Sequence, residues 1–267
     1  MIHKLSSFSR RRFIQATLKG FALPVLMQAW NNNALAAGPV KAESLKENLT
    51  DLEAIKNLLK SKKPSIWVFA GDSITQGAKH TKGIRSYSEV FTERVRWEMG
   101  RPRDFIINTA VSGNTSTDVI NDFDWRVAYF KPNVVSLMIG TNDAAINKNI
   151  SVETFEKNIE KLIEKIREAG AVPLLQTPNP IVSALAKERA QLPAYVKVLR
   201  KVAEQHKVVL IDHYLYWEEA ARHSKIYDTW LNDPLHPNGV GHLQMAQMIF
   251  KALSIYDPKS FTCMEKI

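Results

Sequence analysis

The chain has 267 residues, of which 45% are hydrophobic, so it can bury one sizeable core or at most two small ones. Its formal net charge of +9 is uneven, because residues 1–36 hold five basic residues and no acidic one. The basic residues of the remainder are interspersed with acidic ones, which argues against a nucleic-acid-binding surface. The single cysteine, Cys263, excludes an intramolecular disulfide and has no neighbour at zinc-ligand spacing. We expect a free thiol near an exposed C-terminus.

The first 36 residues resemble a twin-arginine export signal. An arginine cluster at residues 9–15 precedes an apolar stretch at 21–30 and the small residues Ala34 and Ala36, which suit a signal peptidase. We predict cleavage after Ala36, passage through the twin-arginine export machinery, and a periplasmic or secreted mature protein without a stable membrane span. An uncleaved anchor is the alternative, although the apolar stretch is shorter than the ~20 residues that span a bilayer.

Apolar strands alternate with amphipathic helices after the leader, which predicts a parallel sheet covered by helices on both faces. The predicted domains are an N-terminal helical extension at 37–63, which packs on the domain or serves as a linker, a sheet domain at 64–257 and a tail at 258–267. In chain order the predicted elements are helix 41–60, strand 65–70, helix 86–99, strand 105–107, strand 134–139, helix 151–169, strand 172–175, helix 184–205 with a break near Pro193, strand 208–211 and helix 239–254.

Polar motifs follow the first three predicted strands, at the edge where parallel sheets bind ligands. Ser73 of Gly-Asp-Ser is a candidate nucleophile at a strand-to-helix turn, supported by Asp72, although serine is also common as a helix N-cap. Gly113 of Ser-Gly-Asn offers an unobstructed backbone N–H, or is a plain turn glycine. Asn142 of Gly-Thr-Asn-Asp offers an amide donor to an oxyanion, or forms an Asx-turn.

A fourth motif, Asp-Pro-Leu-His at residues 233–236, precedes the last predicted helix. His236 is a candidate general base, and Asp233 would fix its tautomer and stabilise the imidazolium. The alternative is a surface turn capped by Asn238. The remaining histidines lack such a context: His80, His206 and His223 read as surface residues, and His213 and His242 as partly buried structural ones.

Over residues 65–250 the chain resembles the SGNH (GDSL-type) hydrolase family of esterases and lipases. The matching blocks are Gly71–Gly77, Asn108–Thr115, Gly140–Asp143 and Asp233–Gly239. The resemblance implies a flavodoxin-like three-layer α/β/α sandwich with a five-stranded parallel sheet. It implies that Ser73, Asp233 and His236 form a catalytic triad, and that Ser73 N–H, Gly113 N–H and Asn142 form the oxyanion hole, with no metal and no cofactor.

The expected reaction is ester hydrolysis through an acyl-enzyme. Members of this family often remove acetyl groups from carbohydrates, so we expect a small-molecule or polysaccharide ester as substrate. A lysophospholipase or thioesterase acting on longer acyl chains is the alternative. A non-catalytic carbohydrate-binding protein would use the same cleft, but it does not need a triad. Six aromatic residues would line a sugar platform or acyl channel, or belong to the core: Trp125, Tyr129, Tyr214, Tyr216, Trp217 and Trp230.

Overall fold

The computed structural model describes residues 50–77 and 79–264. The predicted leader, residues 1–36, therefore lies outside the described residues, as does the first part of predicted helix 41–60. Within the described ranges five strands form one sheet, parallel throughout, in the order β2-β1-β3-β4-β5. The strands are β1 Ile66–Gly71, β2 Phe105–Asn108, β3 Val134–Met138, β4 Val172–Gln176 and β5 Val209–Ile211.

Each of the five predicted helical segments contains a helix, and five further helices of the described residues, at residues 73–76, 116–121, 123–126, 213–221 and 226–230, were not predicted. The helices are α1 Asp51–Lys60, α2 Ser73–Gln76, α3 Tyr87–Glu93, α4 Ser116–Asn121, α5 Phe123–Arg126, α6 Val152–Glu168, α7 Leu192–Gln205, α8 His213–Ala221, α9 Ile226–Trp230 and α10 Gly239–Ala252. A π-helical turn, Arg94–Glu98, continues α3. The prediction for 184–205 was too long. Helix α7 begins at Leu192, because Pro193 suits a first helical turn, where no N–H is needed.

Alternate residues of each central strand enter two separate cores. In β1, Val68 and Ala70 pack on one side of the sheet, whereas Trp67 and Phe69 pack on the other. Strand β3 is buried along its whole length. Helices α4 to α7 cover the first face, and α1, α3 and α8 to α10 cover the second. The three-layer α/β/α sandwich is thereby confirmed.

Helix α1 packs on the sheet domain rather than acting as a free linker. Its Ile55 is fully buried and its Leu59 is nearly so. The helix starts at a capping box, in which the Thr50 hydroxyl accepts from the Glu53 N–H and the Glu53 carboxylate accepts from the Thr50 N–H. Within the part of the chain that is described, no helix is long and apolar enough to cross a membrane.

The C-terminal tail corrects one expectation. Cys263 is a free thiol, as expected, but its side chain is buried, although Phe261 and Met264 beside it are exposed. The adjacent Thr262 donates from its backbone N–H and its hydroxyl to the Glu98 carboxylate, which ties the tail to the end of α3 and its π-turn.

The sheet order places the site. From β1 the chain crosses to β2 on one side, and from β3 it proceeds to β4 and β5 on the other. Such a switch point leaves a crevice beyond the carboxyl ends of the two central strands, where ligands bind in open α/β sheets. The loops that follow β1 and β3 carry Ser73 and Asn142, so both residues border this crevice.

Candidate active site

Ser73 is the first residue of α2 and not its cap. The cap is Asp72, whose Oδ1 accepts a hydrogen bond of 3.0 Å from the Ile74 N–H. The N-cap interpretation of Ser73 was therefore wrong. The residue is only 7% exposed, and its hydroxyl is free to bond elsewhere: Oγ lies 2.9 Å from Nε2 of His236.

Asp233 holds His236 from the other side. The two Asp233 carboxylate oxygens lie 2.9 and 2.8 Å from Nδ1 of His236. Oδ1 also accepts the backbone N–H groups of Leu235 and His236, each at 2.9 Å. Burial works against ionisation, but these hydrogen bonds outweigh it and lower the pKa of Asp233. The carboxylate is thus charged near neutral pH and fixes the proton of His236 on Nδ1, which leaves Nε2 to accept from Ser73.

The loop that carries Asp233 and His236 is closed by backbone hydrogen bonds. The Asn232 N–H donates to the His236 carbonyl at 2.8 Å, and the Asn238 N–H donates to the Trp230 carbonyl at 2.9 Å. Asn238 also caps α10, as predicted, by accepting from the Gly241 N–H. The interpretation as a turn capped by Asn238 thus describes the loop's local structure correctly, while the His236 side chain points to Ser73.

Gly113 and Asn142 come from different loops that touch each other. Asn142 Nδ2 donates to the Asn114 carbonyl at 3.0 Å, and the Ser112 N–H donates to Gln76 Oε1 of α2 at 3.2 Å. Gly113 has a φ of 82°, a conformation in which a Cβ is strained. The three motif loops are therefore joined around Ser73, and Asn142 is almost fully buried among them.

Asp72 is a buried acid beneath Ser73. Burial, reinforced by the nearby Asp143, raises the pKa of Asp72 to about 7, although Arg189 partly offsets the effect. Its Oδ2 has no hydrogen-bond partner among the described residues. The carboxyl group therefore supports the turn through Oδ1. Its ionisation lowers the stability of the folded protein, because a buried charge is left without a partner.

This penalty predicts a pH dependence for Asp72→Asn. In the unfolded chain Asp72 ionises near its ordinary pKa of 3.8, whereas in the folded protein it holds its proton to about pH 7. Its contribution to the free energy of unfolding is therefore intact below pH 4 and falls as pH rises to 7. The substituted amide keeps an acceptor for the Ile74 N–H but does not ionise. We expect the variant to gain stability relative to wild type between pH 4 and 7 in urea titrations; a constant difference would contradict this.

His80 was wrongly predicted to be a surface residue. Its ring stacks on that of His236 with centroids 3.5 Å apart and an interplanar angle of 11°, and its Nδ1 lies 3.8 Å from Asp233 Oδ2. Burial first, and then the neighbouring His236, lowers the pKa of His80. Nothing in the sequence signals this contact, since His80 lies in a loop without periodicity.

His80, Asp233 and His236 are also the described residues whose possible metal-ligand atoms cluster, all within 4.8 Å of one another. Imidazole binds a metal through a lone pair in the ring plane. Because the two rings are stacked nearly parallel, their lone pairs do not converge on one point. The arrangement as it stands favours a stacked histidine pair over a metal centre.

His213 and His242 are fully buried, more than predicted. His213 Nε2 bonds Gln176 Oε1 at 2.7 Å, and His242 Nδ1 accepts from the Tyr87 N–H at 3.2 Å. Burial lowers the pKa of each to about 3, so both are neutral. His213 thereby joins the start of α8 to β4, and His242 joins α10 to the start of α3.

The aromatic residues separate into two groups. Trp217 and Tyr214 are buried in the two cores, and Tyr216 and Trp230 pack at their margin. Trp125 and Tyr129 are each 69% exposed and in contact with each other. Lys165, near the end of α6, pairs with Asp124 beside Trp125. This aromatic pair therefore lies beside the C-terminal part of α6.

A hydroxyl bonded to an imidazole that a carboxylate holds, at the carboxyl edge of a parallel sheet, is an arrangement typical of hydrolases that form an acyl-enzyme. Residues 69–243 match the GDSL-like Lipase/Acylhydrolase family, and the chain belongs to that family. It is a carboxylic ester hydrolase.

Three relatives illustrate the similarity. An acetylxylan esterase of Geobacillus stearothermophilus is 24% identical over 204 residues, which are 70% of this chain and 92% of that protein. A hydrolase from the Lake Arreo metagenome superposes with a TM-score of 0.63 at 25% identity, over 73% of this chain and 98% of the other. A lipase/acylhydrolase from Enterococcus faecalis superposes with a TM-score of 0.61 at 28% identity, over 73% and 99%.

Proposed function

We propose that the protein is a serine esterase that removes short acyl groups, in particular acetyl groups, from carbohydrate. The observation that carries the mechanism is the continuous hydrogen-bonded path from Ser73 Oγ through His236 to Asp233. His236 takes the Ser73 proton as Oγ attacks the acyl carbon, and then returns that proton to the leaving alcohol. Water activated by His236 hydrolyses the acyl-enzyme.

The oxyanion in this scheme is stabilised by Ser73 N–H, Gly113 N–H and the Asn142 amide. Two features support the assignment: Asn142 is hydrogen-bonded to the Gly113 loop, and the space beside Gly113 is open, since no described residue beyond its chain neighbours has an atom within 4 Å of where a Cβ would lie. Hydrogen-bond donors stabilise an oxyanion most strongly in a site from which water is excluded. The low exposure of Ser73 and Asn142 meets that condition.

An acetylated carbohydrate is supported by the similarity to an acetylxylan esterase. The leader supports export, and a polysaccharide is a substrate that an exported enzyme meets outside the cell. We propose that residues 1–36 direct the folded protein through the twin-arginine machinery to the periplasm or beyond.

Longer acyl chains are the second candidate, and one cleft favours them. It lies beside Asp233, measures about 460 Å³, and has a mainly apolar lining. Its apolar residues are Ile181, Val182, Leu185, Tyr227, Leu231 and Pro234. Such a surface would accept an aliphatic chain as readily as the apolar face of a sugar.

The acyl preference is measured with aryl acetate, butyrate and long-chain esters, and with acetylated and deacetylated xylan. We expect kcat/KM to be highest for the acetate and acetate to be released from acetylated xylan. Narrowing the cleft with Leu185→Trp, at a lining residue that is 72% exposed, should leave acetate hydrolysis almost unchanged if the cleft does not hold the acyl group. A preference for long chains that Leu185→Trp abolishes would replace the carbohydrate proposal with the lipid one.

A further inference from the structure

Arg189 reaches the site from a connection that the sequence motifs do not include. It ends a short 3-10 turn, Lys187–Arg189, between β4 and α7. Its Nη2 donates a hydrogen bond of 3.2 Å to Oδ1 of Asn142, and its side chain is only 16% exposed.

The neighbours of Asn142 allow its amide a single orientation. A guanidinium has donors and no acceptor, so only Oδ1 of Asn142 can face Arg189. A carbonyl only accepts, so only Nδ2 can face the Asn114 carbonyl, to which it donates at 3.0 Å. Both contacts impose the same orientation, and the second Nδ2 hydrogen remains for a ligand.

Arg189 is itself held in place by charge. The Glu188 carboxylate bonds its Nη1, and the positive charge acts on the buried Asp72 beneath Ser73. Its Nε, also buried, has no partner among the described residues. Arg189 therefore contacts the proposed oxyanion donor Asn142 directly, and its charge acts on Asp72, the cap of the helix that begins with the proposed nucleophile.

We infer that Arg189 is a positioning residue that orients the Asn142 amide so that its N–H, and not its oxygen, faces the oxyanion. The inference rests on the proposed function. Without the guanidinium only the Asn114 carbonyl still favours this orientation, so the flipped amide becomes more populated. Its oxygen, turned toward the developing negative charge, would repel that charge. The effect falls on the transition state, in which the charge develops, and not on substrate binding.

The test is a double-mutant cycle of Arg189→Gln and Asn142→Ala on aryl acetate hydrolysis. Asn142→Ala alone should lower kcat by about 10²–10³, as expected for loss of an oxyanion donor. Arg189→Gln alone should lower kcat by roughly 10-fold to 100-fold with little change in KM, because misorientation costs less than removal. In the Asn142→Ala background Arg189→Gln should cost less than about twofold, since coupled residues are not additive.

Lys187→Gln is the matched control, because it removes the same charge from an exposed position of the same turn. It should leave kcat unchanged. Added guanidinium ion should restore part of the kcat of an Arg189→Ala variant, a readout that a merely structural role would not move. If Arg189→Gln does not fold, Arg189→Lys replaces it in the cycle, with the same non-additivity expected.

An undiminished kcat in the Arg189 variant, or equal losses in both backgrounds, would overturn the inference. Its failure is distinguishable from failure of the proposed function. Ester hydrolysis that depends on Ser73 but not on Arg189 sinks the inference alone, whereas hydrolysis independent of Ser73 sinks the proposed function as well.

Discussion

Ser73→Ala is expected to abolish ester hydrolysis, lowering kcat by roughly 10⁴–10⁶-fold. The substitution removes the atom that is placed to attack an acyl carbon next to His236, since Oγ is the group 2.9 Å from Nε2. The loss should be this large because the covalent route disappears as a whole. Initial rates on an aryl acetate, with burst kinetics to detect the acyl-enzyme, measure it.

Substrate binding should survive in Ser73→Ala, since the change deletes one oxygen from a site otherwise intact. The control is Ser224→Ala, which alters an exposed serine far along the chain and should leave kcat unchanged. Binding of acetylated oligosaccharide without turnover in both the wild type and Ser73→Ala would support a carbohydrate-binding protein. Undiminished hydrolysis in the variant would exclude Ser73 as the nucleophile.

Asp233→Asn should lower kcat by about 10⁴-fold, by reversing the tautomer of His236. Oδ1 of the new amide can still accept the backbone N–H groups of Leu235 and His236, so the loop keeps its shape. The amide nitrogen then donates to Nδ1, which places the imidazole proton on Nε2. An imidazole protonated there donates to Ser73 and cannot take its proton.

The loss in Asp233→Asn should appear in kcat and leave KM nearly unaltered, and its circular dichroism spectrum should match that of the wild type. Asp124→Asn serves as the control, because Asp124 is almost fully exposed and its loss also removes one negative charge. A decrease in kcat of less than about tenfold would show that the carboxylate is not the partner on which His236 depends.

The candidate site was predictable to the extent that local patterns mark it. Apolar strands that end in Gly71 and Gly140 predict parallel strands, and parallel strands bring their carboxyl ends to one edge. The positions of Ser73 and Asn142 at this edge follow directly from that geometry. The position of His236 does not, because 163 residues separate it from Ser73 along the chain. Its assignment needed a recurring motif in addition to the periodicity.

Other residues of the site could not be predicted from the sequence. His80 lies in a loop with neither periodicity nor motif, whereas Arg189 lies in a 3-10 turn that was predicted to be part of helix 184–205. Each reaches the site only because its segment folds back over the sheet edge. Loop conformation depends on contacts with residues distant in the chain, which local propensity does not encode.

The sequence by itself determined the fold class, the sheet edge that carries the site and the residues that border it, because strand period and motif position are local properties. The tertiary structure alone decided burial and contact. It placed Trp217 in the core and Trp125 on the surface, although both are tryptophans in helical segments. It raised the pKa of Asp72 by removing it from water, and it set one hydrogen-bonded path through Ser73, His236 and Asp233. Desolvation and hydrogen-bond geometry depend on neighbours brought together from the whole chain, and these exist only once the chain has folded.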